Sequence, residues 1–411
     1  MFRIVATSGP ARTLAAAQLV GSLGDGAFYA CSVLFFTRVV GLSPARVGFA
    51  LTLGWAVGML AGVPLGRLAD RWGPRRTAVA LAAATAATLA AFLMVRSFPL
   101  FTVAFAAYAC CQAGLTSARQ ALLAGLVPAG ERTGVRAAVQ SASNAGLAAG
   151  AGLGALALCS GTRPAYLAVF GMDAAAFAAA GLVLSRLPEA PAAGPRAHGP
   201  RTGVLRDRPY ALVTFCSAVM YLNMPLLSLG LPLWIVRRTG APAPMAAVLL
   251  VVNMLSVVLF QVRVARPVTG PAAAARATRR AGVLMAAACA VYAMSGAGSG
   301  VVVTVVLLVA GALVQVFGEM LHGAGGWELS FALAPEGRHG QYQGFYGMAP
   351  QCARMAGPLV LTTLLLGWGG PGWLLLGAAF LAAGAAMGPV TRYAERAHAA
   401  PRVAVRTGAC G

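Results

Sequence analysis

Apolar runs of about 20 residues recur from one end of this chain to the other, separated by short polar turns. Coiled as a helix, each such run crosses a hydrocarbon core roughly 30 Å thick. The pattern predicts an all-α membrane protein with twelve spans. Six cover Leu14–Val39, Val47–Leu65, Thr77–Val95, Leu100–Leu126, Ala137–Leu158 and Ala165–Leu184. Six more cover Tyr210–Ile235, Met245–Val262, Ala281–Ser295, Val301–His322, Tyr342–Leu366 and Trp373–Val390. Between the sixth and seventh, Leu187–Pro209 is rich in Pro, Gly, Ala and Arg and has no apolar period, which reads as a flexible linker. The expected organisation is a first helical bundle over 1–186, a linker over 187–209, a second bundle over 210–391 and a basic tail over 392–411.

Composition agrees with immersion in lipid. Of the 411 residues, 59% are hydrophobic and 10% charged, too few charges to cover a soluble chain of this length. The net charge of +21 comes entirely from arginine among the bases. Such a balance otherwise points to nucleic acid, but the arginines fall in alternate loops. Arg67, Arg71, Arg75 and Arg76 follow span 2, Arg132 and Arg136 follow span 4, and Arg263, Arg266, Arg276, Arg279 and Arg280 follow span 8. That is a topology signal. It places both termini in the cytoplasm of a multi-pass protein of the cell membrane, with lipid and not nucleic acid as its surroundings. Arg3 and Arg12 precede a first run too long for a signal peptide, so that run is expected to stay as a helix. The eight cysteines lack metal-ligand spacing. No phosphate loop, nucleophile elbow or His/Cys cluster is present, so no enzyme, cofactor or metal is expected.

The turn after span 2, Gly66-Arg67-Leu68-Ala69-Asp70-Arg71-Trp72-Gly73-Pro74-Arg75-Arg76, has the pattern G-x-L-A-D-R-x-G-x-R-R. It resembles the signature loop between helices 2 and 3 of the major facilitator superfamily (MFS) of secondary transporters. The resemblance implies two six-helix bundles related by a pseudo-two-fold axis along the membrane normal. It also implies substrate binding between them by alternating access. The loop Leu126–Gly134 is echoed by Leu333–Gly340, each after the fourth run of its half, as a parallel repeat requires. In the resembled family the signature loop latches the halves in one state. That role is carried to Gly66, Asp70, Arg71, Gly73, Arg75 and Arg76, with Asp70 expected in a charge network with its flanking arginines. The alternative is that the arginines only set topology.

Span 5 contains Gly146, Gly150 and Gly154 at four-residue intervals. This is similar to the helix-5 motif of drug:proton antiporters, with Ala151 in place of its proline. Plain small-residue packing is the alternative. With Gly114 taken as the glycine of the helix-4 motif, Cys111 stands where those antiporters have arginine, and Arg119 reads as interfacial.

Ionisable residues inside apolar runs are costly and so are candidates for function. Asp25 in span 1 is a candidate to take a proton or meet a cationic substrate. Glu319 and His322 in span 10, three residues apart, are candidates for a proton relay. Arg354 in span 11 requires a partner, Glu319 or Glu328 being nearest in depth. Asp173 in span 6 reads as structural. Gln112, Tyr221, Asn223 and Asn253 are candidates to line the cavity, and Pro225, Pro232 and Pro350 to bend helices. The functional expectation is a monomeric, proton-coupled exporter of a small organic or drug-like molecule. The alternatives are a facilitator or importer of a metabolite and, in another class, a membrane sensor that does not transport.

Overall fold

The computed structural model describes residues 9–160, 162–189, 203–242, 244–298 and 300–403. Most of the expected linker, residues 190–202, lies outside that set, as does the end of the tail. Two compact units are formed. One comprises Met1–Gly199 with Pro335–Met348, the other Pro200–Ala334 with Ala349–Gly411.

Unit 1 holds α1 (Gly9–Leu34), α2 (Pro44–Trp72), α3 (Pro74–Phe92), α4 (Phe98–Leu126), α5 (Arg132–Ser160) and α6 (Arg163–Ser185). Unit 2 holds α7 (Gly203–Arg206), α8 (Arg208–Met220), α9 (Asn223–Pro225), α10 (Leu231–Arg238), α11 (Met245–Ala265), α12 (Pro271–Met294) and α13 (Val301–Ala332). The short α14 (His339–Tyr346) belongs to unit 1, and α15 (Met348–Leu361) and α16 (Gly370–Val403) belong to unit 2. Among the described residues, eight helical stretches are long and apolar enough to cross a membrane. Adding α1, α3, α12 and the α14–α15 pair, each diluted by polar residues or interrupted, gives the twelve spans of the sequence pattern.

Several helices open with proline in the first turn, where its missing N–H costs nothing: Pro44, Pro74, Pro164, Pro209 and Pro271. The Ser43 and Asp207 side chains cap α2 and α8 by accepting from Arg46 N and Tyr210 N. Gly73 joins α2 to α3 at φ +96°, a conformation that excludes most other residues.

In unit 1, α1 packs on α5 and α6, α2 on α4, and α3 on α4 and α6. The core of the unit is aromatic, with Phe28, Phe92, Phe101, Phe105 and Tyr108 interlocked. In unit 2, α12 packs on α13 and α16. Trp373 meets Tyr292 at 5.0 Å and Trp234 at 5.5 Å between ring centroids. Large apolar side chains on the outer faces stay uncovered, among them Leu156 (68% exposed), Leu359 (74%) and Val302 (76%). Water would make such a surface aggregate, whereas lipid tails cover it at no cost.

The three spaced glycines of α5 face α1. A Cβ at Gly146 would lie 2.6 Å from the Leu19 carbonyl oxygen. One at Gly150 would collide with that of Leu23, and one at Gly154 would lie 2.7 Å from that of Ala27. The carbonyls, like the glycines, recur every four residues, so the two backbones run in contact along one stripe. Gly152, off that stripe, has nothing within 4 Å. Gly150→Val is therefore expected to destabilise the protein by about 1–3 kcal/mol through overpacking, and Gly152→Val to leave it nearly unchanged. Thermal melting in detergent separates the two.

Five elements depart from the predicted spans, two of them only in length: α12 begins ten residues before Ala281 and α16 runs thirteen past Val390. The seventh run is interrupted: α8 ends at Met220, a turn leads into α9, and a π-type turn spans Leu226–Gly230 before α10. Pro225 and Pro232 remove the N–H groups that would bond the carbonyls of Tyr221 and Ser228, which lie at those breaks. The eleventh run breaks at Gly347, ahead of Pro350, which has no N–H to give the helical ladder. The tenth helix runs ten residues past His322, to Ala332. Its Gly-rich stretch continues the helix because Gly325 lies directly on α12, where a Cβ would meet Thr278 Oγ1 and the Ala274 carbonyl.

Candidate functional site

Unit 1 carries two polar clusters on α1. In the first, Asp25 Oδ1 accepts from the Tyr108 hydroxyl at 3.0 Å and from Gln112 Nε2 at 3.1 Å, both from α4. Gln112 Nε2 also donates to the Tyr108 oxygen at 3.0 Å. In the second, Gln18 Nε2 donates to Ser22 at 2.9 Å and to Ser143 at 3.2 Å, while Ser22 and Ser143 hydroxyls lie 2.8 Å apart. Arg119 Nη1 donates to Gln18 Oε1 at 2.6 Å. Gln18, Ser22 and Asp25 are spaced four and three residues apart, so they form one stripe of α1. That spacing was open to view in the sequence. Arg119, read as interfacial, is half-buried and tied to α1.

Asp173 on α6 is fully buried, with neither carboxylate oxygen hydrogen-bonded. It lies against Gly24, where a Cβ would collide with Asp173 Oδ1. It does not join the Asp25 hydrogen bonds.

The signature loop is arranged differently from the expected arginine network. Asp70, in the last turn of α2, accepts from the backbone N–H of Gly340 at 2.7 Å and of Gln341 at 2.8 Å. It therefore caps the N-terminus of α14, whose first N–H groups have no partner within the helix. The backbones touch here as well. A Cβ at Gly66 would strike the Gly340 carbonyl, and one at Gly62 would lie 3.2 Å from that of Gly344. The ion pairs form on the other side of the turn. Arg75 Nη2 pairs with Glu189 at 2.8 Å and Nη1 donates to the Leu187 carbonyl at 2.9 Å, while Arg76 Nε lies 3.5 Å from Glu189. Glu189 also underlies Gly73, whose Cβ would lie 2.5 Å from Glu189 Oε1. Arg71 is exposed in the last turn of α2. The physical reason is supply and demand. The unbonded N–H pair of a helix start offers Asp70 two aligned donors, and Glu189, absent from the signature itself, pairs with Arg75 and Arg76.

His339, the first residue of α14, precedes the eleventh span. Burial, reinforced by the charge of Arg132, pushes its imidazole down to about 4. The stability that a neutral His339 contributes is fully present above about 6.5 and is lost as pH falls through about 4. The melting temperature is expected to drop across that window, and less steeply in His339→Gln.

In unit 2, Glu319 Oε2 accepts from Asn253 Nδ2 of α11 at 2.8 Å, its single hydrogen bond. His322, 1% exposed, presents its ring edge-to-face to Tyr221 at 4.7 Å, with both ring nitrogens unpartnered. Three residues of helix turn them roughly 60° apart, so one faces α11 and the other the end of α8. The expected Glu319–His322 relay is not formed. Asn223, 1% exposed at the helix break, has no partner for its side-chain amide, while its carbonyl accepts from Gln315 Nε2 at 3.5 Å. Arg354 is exposed on α15. Its expected pairing is absent: Glu319 is bonded to Asn253, and Glu328 Oε1 accepts from Gly270 N at 2.7 Å. Among the described residues no group of His, Cys, Asp and Glu could hold a metal.

Long apolar helices carrying buried polar and ionisable side chains describe a multi-pass membrane protein with polar groups placed for function. The Major Facilitator Superfamily model matches residues 14–358, and the chain belongs to that family. No curated protein matches the sequence. Among solved structures, a bacterial homologue of the iron transporter ferroportin in the outward-facing state is similar with a TM-score of 0.73 at 15% identity, over 95% of this chain and 100% of that one. The human organic anion transporter MFSD10 (TETRAN) gives 0.69 at 17% identity, over 92% and 98%. The E. coli fucose:proton symporter gives 0.67 at 14%, over 94% and 98%. Identities this low establish a shared fold.

Proposed function

We propose that this transporter exports a small organic molecule in exchange for protons, by alternating access, in the cytoplasmic membrane with both termini inside. Glu319 carries the reading. It is an acid within the spanning helix of highest mean hydropathy, one oxygen is bonded to Asn253, and the other is uncommitted. A group that must gain and lose a proton each cycle needs such an oxygen. Asp25, holding two donors on one oxygen, serves to order α1 against α4. The contact of Asp70 with the start of α14 acts as the latch, made in one state of the cycle and broken in the other. Tyr221, Asn223 and His322, at the break in the seventh run, are the groups that rearrange as the cycle proceeds.

The test uses inverted membrane vesicles with an acidified lumen and a panel of fluorescent aromatic compounds. An exporter accumulates its cargo in the lumen, and a protonophore releases it. A facilitator equilibrates cargo whether or not the gradient exists, and a non-transporting sensor moves none. Either outcome removes the proposal.

A further inference from the structure

The second polar cluster of unit 1 holds a guanidinium whose single hydrogen-bond partner is neutral. Arg119 donates to Gln18, and the charged neighbours felt by its guanidinium are Asp25 and Arg136. Arg136 is itself engaged by Gln120. With that amide turned so that its oxygen faces the guanidinium, Nη1 and Nε donate at 2.9 and 3.2 Å. Asp25 lies seven residues from Gln18 along α1, about 10 Å away, and is occupied by Tyr108 and Gln112. The Arg119 guanidinium itself hydrogen-bonds no anion. A guanidinium carries five N–H donors and keeps its charge at any physiological pH. Half-buried among membrane helices, it calls for a counter-charge.

We propose that Arg119, steadied by Gln18, Ser22 and Ser143, is the binding site for an anionic group, and that the cargo is a small organic monoanion. A carboxylate or similar planar pair of oxygens fits the guanidinium fork and supplies its counter-charge. Gln18, Ser22 and Ser143 hold one another in place, so the guanidinium is pre-oriented and a bound anion gains the remaining donors. This inference rests on the transporter reading and narrows its substrate class.

The test takes the purified full-length protein in detergent and three probes of one shape: 2-naphthoate, 2-naphthamide and 2-naphthylmethylammonium. Affinity is read from the ligand-induced rise in melting temperature. Naphthoate is expected to raise it saturably, while the amide and the ammonium do not. Arg119→Gln should weaken naphthoate by on the order of tenfold or more. Arg119→Lys should fall between, keeping charge without the fork, and Asp25→Asn should tighten binding. Equal responses to all three probes, no response, or naphthoate affinity unchanged in Arg119→Gln and Arg119→Lys would overturn the anion site. Gradient-driven accumulation of another compound in the vesicle assay would leave the transporter reading standing in each of those cases.

Discussion

Glu319→Gln is expected to abolish uphill accumulation of cargo while leaving cargo-for-cargo exchange intact. One-for-one exchange with protons across about two pH units can hold a concentration ratio of about 100, since each unit is worth about 1.36 kcal/mol. Glutamine keeps the size of the side chain and keeps a carbonyl oxygen for Asn253, which donates at 2.8 Å in the wild type. It cannot carry a proton, so the ratio should fall to about 1 under that same gradient. Counterflow, in which labelled cargo enters against unlabelled cargo inside, needs no proton and should persist. Loss of both activities would mark a folding defect. Full accumulation in the variant would show that the proton is carried elsewhere.

Asp70→Asn is expected to loosen the start of α14 and to slow transport. The carboxylate accepts two aligned backbone N–H bonds at 2.7 and 2.8 Å, and its charge sits at the positive end of a helix. Asparagine has one oxygen to accept with, and its NH2 group is turned toward a second donor. The loss should be about 2–3 kcal/mol, or roughly 30- to 150-fold in occupancy of the contact. Hydrogen–deuterium exchange reports this directly, because the amides concerned are those of Gly340 and Gln341. Their protection should fall by that factor, and steady transport should fall with it if the contact is a latch. Unchanged protection would mean that the glycine crossing of α2 and α14 holds the contact without Asp70.

Much of the architecture is legible in the order of residues. Bilayer thickness sets the length of an apolar run, so twelve crossings can be counted from hydropathy alone, and Pro225 and Pro350 mark where two of them break. The signature Gly66–Arg76 was enough to point to the family. The four-residue spacing of Gly146, Gly150 and Gly154 indicated one close-packed face. These features are local: each depends on neighbours within a turn or two of helix, or on transfer of one segment from water to lipid.

What the sequence could not assign is the partner of each polar group. Asp70 has four arginines within six residues, yet it bonds the backbone of Gly340 and Gln341, 270 residues away. Glu319 and His322 share a helix and face different neighbours, α11 for one and Tyr221 for the other. Arg119 reads as interfacial from its place near the helix end, and its partner, Gln18 on α1, could not be read there. A buried charge or hydrogen-bonding group takes whichever complement the packing brings within about 3 Å, and that choice is made by helix crossings between distant segments. The sequence by itself determined that this chain lives in a membrane, how often it crosses and to which family it belongs. Only the tertiary structure decided which charges meet, because hydropathy is a property of a segment and a hydrogen bond is a property of a pair.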